Sequence, residues 1–94
     1  MMEKLTVFYL DGCPYCRNAR KAFGELAEEK PEYGKVSVEW VEENQRPEIV
    51  EGHDYYYVPT IYAGSRKLYE AHPGESYDEC KSHVRSALDA VTGS

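Results

Sequence analysis

The stretch Leu5-Thr6-Val7-Phe8-Tyr9-Leu10-Asp11-Gly12-Cys13-Pro14-Tyr15-Cys16 decides how this chain is read. Its opening residues are nearly all apolar and rich in β-branched and aromatic side chains, the composition of a strand covered on both faces of a sheet. Asp11-Gly12 breaks the strand. From Pro14 onward Tyr15, Ala19, Ala22, Phe23 and Leu26 recur at helical spacing, while Arg17, Arg20, Lys21, Glu25, Glu28 and Glu29 fill the other face. An amphipathic helix is therefore expected. Pro14 fits its first turn, where a missing N–H costs nothing, and Lys30-Pro31-Glu32-Tyr33-Gly34 stops it. Cys13 then stands where strand gives way to helix. Cys16 follows one turn later on the same side, within disulfide reach.

The placement of the pair has a chemical consequence. Unpaired N–H groups and the positive dipole end of a helix favour an anion, so the Cys13 thiolate should be stabilised and its pKa fall below the free value of about 8.5. Arg17 and Arg20 would add to that potential by leaning toward it. Cys13 is assigned as the nucleophile, and Cys16, the inner and more buried thiol, as the resolving group. Pro14 stiffens the turn between them, and Tyr15 offers an aromatic surface to a bound substrate.

Working outward, 94 residues with 41% hydrophobic side chains have room for one core, so residues 1–94 are read as a single domain. The net charge is −6, from 11 Lys and Arg against 17 Asp and Glu. That balance argues against a nucleic-acid or anionic-membrane surface, because phosphate affinity comes from clustered cations. No segment has the length and apolarity of a membrane span, and Met1-Met2-Glu3-Lys4 leads into a strand without a signal-peptide layout. A soluble, cytoplasmic monomer is expected. The chain has 3 cysteines, an odd number, whereas a disulfide-stapled secreted domain of this size carries an even set of four or more.

Val36, Val38 and Trp40 alternate with Ser37 and Glu39, giving a second strand that is wet on one face. Strand, helix and strand in close succession imply a crossover with the two strands parallel. Residues 44–54, with Pro47, Ile49 and Val50, suggest a short helix. Residues 56–62 and 66–70 read as an antiparallel hairpin turning over Ala63-Gly64-Ser65. Ser76, three residues before Glu79, forms a capping-box pattern ahead of a last helix with the stripe Tyr77, Cys80, Val84, Ala87, Leu88 and Val91. The end of that helix is expected to fray at Thr92-Gly93-Ser94. The order β-α-β-α-β-β-α predicts an α/β architecture, a mixed four-stranded sheet flanked by helices.

A single C-x-x-C pair can also be half of a zinc site completed by His53, His72 or His83. Structural zinc sites present a second closely spaced ligand pair, and this chain has none. A C-x-x-C between strand and helix of a βαβ pattern is instead the arrangement of a redox dithiol. No metal is assigned to the pair.

Cys13-Pro14-Tyr15-Cys16 after a hydrophobic strand, with Val58-Pro59 opening a hairpin some forty residues later, resembles the thioredoxin fold. The Pro-Tyr dipeptide between the cysteines is similar to dithiol glutaredoxins in particular. The resemblance implies a thiol-disulfide oxidoreductase of protein or glutathione-mixed disulfides, with glutathione as co-substrate and no bound cofactor. It also implies that Pro59 follows a cis peptide bond beside the cysteines, where the Val58 backbone pairs with an extended substrate. Glutaredoxins carry a Lys shortly before the first cysteine, a Thr before Val-Pro and a Gly-Gly before the last helix. Here Asp11-Gly12, Tyr57 and Pro73-Gly74-Glu75-Ser76 occupy those places. Candidate glutathione contacts are therefore Arg46 or Gln45 for a carboxylate and an anion site around Gly74 and Ser76 at the capped helix start. The departures keep open a thioredoxin-like reductant recharged by a flavin-dependent thioredoxin reductase. A non-enzymatic metal or iron-sulfur carrier using Cys13 across a dimer is the other alternative.

Of the remaining residues, Cys80 falls on an apolar stripe and is read as a small buried hydrophobe. Tyr55-Tyr56-Tyr57 before the proline should point at least one ring inward and one outward by strand alternation. No function is assigned to His53, His72 or His83.

Overall fold

In the computed structural model, which describes residues 3–93, the opening apolar run forms β1 (Leu5–Tyr9) and is followed by α1 (Pro14–Glu29). A 3-10 turn (Tyr33–Lys35), β2 (Val38–Glu42), α2 (Pro47–Val50), β3 (Thr60–Ala63), β4 (Arg66–Glu70) and α3 (Tyr77–Thr92) complete the order. The four strands lie in the order β2-β1-β3-β4. β1 runs parallel to β2 and antiparallel to β3, and β3 pairs antiparallel with β4. The expected mixed four-stranded sheet is thus found; β1 is a central strand covered on both faces, which is why its sequence is apolar almost throughout.

Alternation along β1 divides the core between two faces. Leu5 and Val7 point to the face covered by α1 and α3, where they meet Ala19, Ala22 and Leu26 from α1, Ile61 and Ala63 from β3, and Val84, Ala87 and Leu88 from α3. Phe8 points the other way and joins Val41 and Tyr62, with Ile49, Val50, Tyr55 and Val58 packed against them. The alanines of α1 let its backbone approach the sheet closely, and full burial of Leu26 contributes roughly 1.5–3 kcal/mol. The two long helices are also joined directly. The Tyr77 hydroxyl donates to Glu25, Lys81 lies 3.2 Å from Glu25 and 2.6 Å from Glu29, and Arg85 lies 3.2 Å from Glu29.

Several boundaries differ from the sequence expectation. The second strand begins at Val38, because Val36 instead closes the 3-10 turn, its N–H bonded to Tyr33 O at 3.3 Å. That strand extends to Glu42, and its last residues, Val41 and Glu42, are both buried. The third strand begins at Thr60, so the three tyrosines before the proline lie in a loop and strand alternation does not orient them. The last helix is intact through Thr92 and ends on Gly93 in the left-handed conformation, φ 79°, with its N–H bonded to Asp89 O. The expected fraying is not seen at Thr92 or Gly93; Ser94, like Met1 and Met2, lies outside the described residues. Among the described residues no helix is long and apolar enough to cross a membrane.

Candidate active site

The register places the functional segments at one end of the sheet. Tyr9 pairs with Glu42, Phe8 with Thr60, and Thr60 with Glu70. The loops after β1, β2 and β4 and the loop before β3 therefore meet there, as ligand sites do at the carboxyl ends of strands in open α/β sheets. Gly12, at φ 81°, turns the chain out of β1 in a conformation that disfavours side chains.

Cys13 is the N-cap of α1, its backbone extended at φ −80° and ψ 120°, and Pro14 occupies the first turn. Its carbonyl accepts from Arg17 N at 3.1 Å, the first bond of the helix. Its thiol is half-exposed and lies 3.9 Å from the Val58 carbonyl oxygen. Cys16 is buried, within hydrogen-bond reach of the Cys13 side chain, and both are free thiols. Burial pushes the Cys16 thiol up to about 12, reinforced by the neighbouring Cys13 and the Glu43 carboxylate and opposed by a backbone hydrogen bond from Leu10.

Val58-Pro59 is a cis peptide bond, as the resemblance implied, and Pro59 is fully buried. Val58 itself is partly exposed beside Cys13. Tyr15 is half-buried, and its hydroxyl accepts from Gly74 N at 2.8 Å, which ties the first turn of α1 to the loop before α3. The capping box at Ser76 is present in full: the Ser76 hydroxyl accepts from Glu79 N and the Glu79 carboxylate accepts from Ser76 N, both at 3.1 Å.

The structure thus brings Cys13, Cys16, Tyr15, Val58, Pro59 and Gly74 to one end of the sheet. The candidate anion contacts are held by other groups: Arg46 is paired with Glu48 at 2.9 Å, Gly74 N is bonded to Tyr15, and Ser76 is occupied by Glu79. The Arg20 guanidinium is stacked 4.2 Å over Trp40 and 5.0 Å over Tyr9. Cys80 is buried. Its thiol is raised by burial, opposed by a hydrogen bond with Tyr69.

Sequence reasoning missed two glutamates that shape this end of the molecule. Glu42 is buried, and its carboxylate accepts from Asp11 N at 3.2 Å and Asn44 N at 2.6 Å, joining the loops after β1 and β2. Glu70 accepts from both Tyr56 N and Tyr57 N, at 2.8 and 2.9 Å. Each is a charged residue at the end of a strand and carries no local signal of burial or of a backbone to hold. Among the described residues no group of three or more His, Cys, Asp and Glu side chains is arranged to hold a metal ion. His53 packs on Phe8 and Tyr62, His72 faces Glu75 and Glu79, and His83 stacks on Tyr69.

Sheet order, helix placement and the cis proline define a thioredoxin-like fold. No family model and no curated protein matches the chain. Among solved structures it is similar to a mutant thioredoxin from Halobacterium salinarum NRC-1, with a TM-score of 0.58 and 20% identity over 94% of this chain and 73% of that one. It is also similar to human ERp44 in its zinc-bound form, with a TM-score of 0.54 and 21% identity over 90% of this chain; it spans 26% of that protein. At these identities the likeness is one of fold.

Proposed function

We propose that the protein is a thiol-disulfide oxidoreductase of the dithiol glutaredoxin type, acting on protein and glutathione-mixed disulfides. The observation that carries this is the half-exposed Cys13 thiol at the start of α1, beside the buried Cys16 and 3.9 Å from the Val58 carbonyl. A sulfur in that position is reachable by a substrate disulfide, and the helix N-terminus favours negative charge there.

The Cys13 thiolate attacks one sulfur of the substrate disulfide. The S–S bond breaks, a Cys13–substrate disulfide forms, and the other substrate sulfur leaves as a thiolate that takes up a proton. Cys16 then gives up its proton and attacks the Cys13 sulfur. The remaining substrate sulfur departs as a thiolate, and the Cys13–Cys16 disulfide is left. Two electrons have passed from the dithiol to the substrate. Two glutathione molecules, becoming glutathione disulfide, restore the dithiol.

A specific observation favours a second reading of the electron donor. Arg46 Nε, Gly74 N and Ser76 are each engaged by an intramolecular partner, so a glutathione carboxylate bound there would compete with Glu48, Tyr15 or Glu79. A flavin-dependent thioredoxin reductase needs none of those groups. Offering the oxidised protein glutathione and thioredoxin reductase in separate assays distinguishes the donors. Reduction by glutathione supports the glutaredoxin type, reduction by the reductase alone supports the second reading, and reduction by neither contradicts both. Replacing Cys13 by Ser should abolish exchange, whereas Cys16→Ser should keep monothiol deglutathionylation and lose dithiol reduction.

A further inference from the structure

Tyr56 and Tyr57 are the exposed large hydrophobic side chains among the described residues, 88% and 52% accessible. A large apolar side chain left in water beside a reactive group points to a contact made with something else. Their exposure is not that of an untethered loop, since the backbone around them is held from every side. Asp54 O accepts from the Tyr62 hydroxyl at 2.7 Å, and Tyr55 stacks on Phe8 at 5.1 Å. Tyr57 O accepts from the Thr60 hydroxyl. Between these anchors a single oxygen of Glu70 takes the N–H groups of both Tyr56 and Tyr57, while its other oxygen is paired with Lys67 at 2.7 Å.

The next residue along the chain is Val58, whose carbonyl faces the Cys13 sulfur. The backbone that carries the two rings therefore runs directly into the residue facing the Cys13 sulfur. A polypeptide whose disulfide is attacked by Cys13 passes next to this segment, because Val58 joins the two. We propose that Glu70 is a positioning residue that holds Tyr56 and Tyr57 as an aromatic docking surface for a polypeptide substrate with an apolar side chain next to its disulfide cysteine. This rests on the exchange reaction proposed above. A fixed aromatic surface lowers the ordering cost of binding, so its loss should fall on KM for polypeptides more than on kcat.

The test compares kcat/KM for a peptide disulfide bearing Phe beside its cysteine with kcat/KM for hydroxyethyl disulfide, which carries no peptide or apolar side chain to dock. Glu70→Ala should lower the peptide-to-small-disulfide ratio by about tenfold, through KM, and Glu70→Gln, which keeps a carbonyl acceptor, should recover most of it. Tyr56→Ser with Tyr57→Ser, which alters side chains outside the buried core, should lower the ratio similarly. An unchanged ratio in the tyrosine variant, or an equal loss on both substrates in Glu70→Ala, overturns the proposal. If the wild-type protein reduces neither disulfide, the exchange reaction itself is wrong.

Discussion

At Cys16 two effects oppose each other, and burial wins. Desolvation disfavours the thiolate more than the Leu10 backbone hydrogen bond favours it, so this sulfur stays protonated through neutral pH. Cys80 is raised for the same first reason. Cys13 has no comparable cover, its thiol being half-exposed. Iodoacetamide at neutral pH is therefore expected to place one adduct on Cys13, with Cys16 and Cys80 labelled only after unfolding; peptide mass mapping checks this, and early labelling of Cys16 would contradict it. The division of the cysteines was legible in sequence because helical spacing separates an N-terminal thiol from one inside the apolar stripe. The roles of Glu42 and Glu70 were not. Glu70 acts wholly, and Glu42 through Asp11, on backbone more than ten residues away in the chain, and nothing in a local pattern reports where those N–H groups will lie.

Elements terminated by strong local chemistry were read with close boundaries. Pro14 starts α1 and Ser76 starts α3 as the capping rules require. Elements bounded only by alternation were not: Val36 has the spacing of a strand residue but joins the 3-10 turn, and the tyrosines before Pro59 have strand composition but lie in a loop. The α3 cap also matters for the site, because the loop leading into it carries Gly74, which Tyr15 grips from the first turn of α1. Ser76→Ala removes one half of the capping box and should cost about 1 kcal/mol of stability. Equilibrium urea unfolding reads this as a lower midpoint at unchanged slope. No shift of the midpoint would show that the box is not holding the helix.

For the molecule as a whole, two sets of groups bound the stability range. Glu29 and Glu79 are held below the usual carboxylate range, Glu29 by Lys81 and Arg85, Glu79 by the Ser76 backbone and hydroxyl. Their contribution is present above the ordinary carboxylate range and is lost as pH falls through their lowered values. Cys16 at about 12, with Cys80, Tyr55, Tyr69 and Tyr77 also raised by burial, works in the opposite sense. These groups ionise earlier in the unfolded chain, so stability falls as pH rises past the ordinary thiol and phenol ranges. A plateau in Tm around neutrality with loss on the alkaline side is expected, and a Tm that rises above the thiol range would contradict it. The core sets the scale of the total. Leu26→Ala, at the fully buried junction of α1 and the sheet, should cost roughly 2–5 kcal/mol.

In the exchange proposed here, Cys13 attacks and Cys16 resolves. The most direct test is to mix reduced Cys16→Ser protein with a peptide disulfide and identify the covalent product by non-reducing mass spectrometry. A stable adduct on Cys13 is expected in the variant. In wild type the same mixture should yield a Cys13–Cys16 disulfide and released peptide. No adduct, or one on Cys80, would contradict these roles.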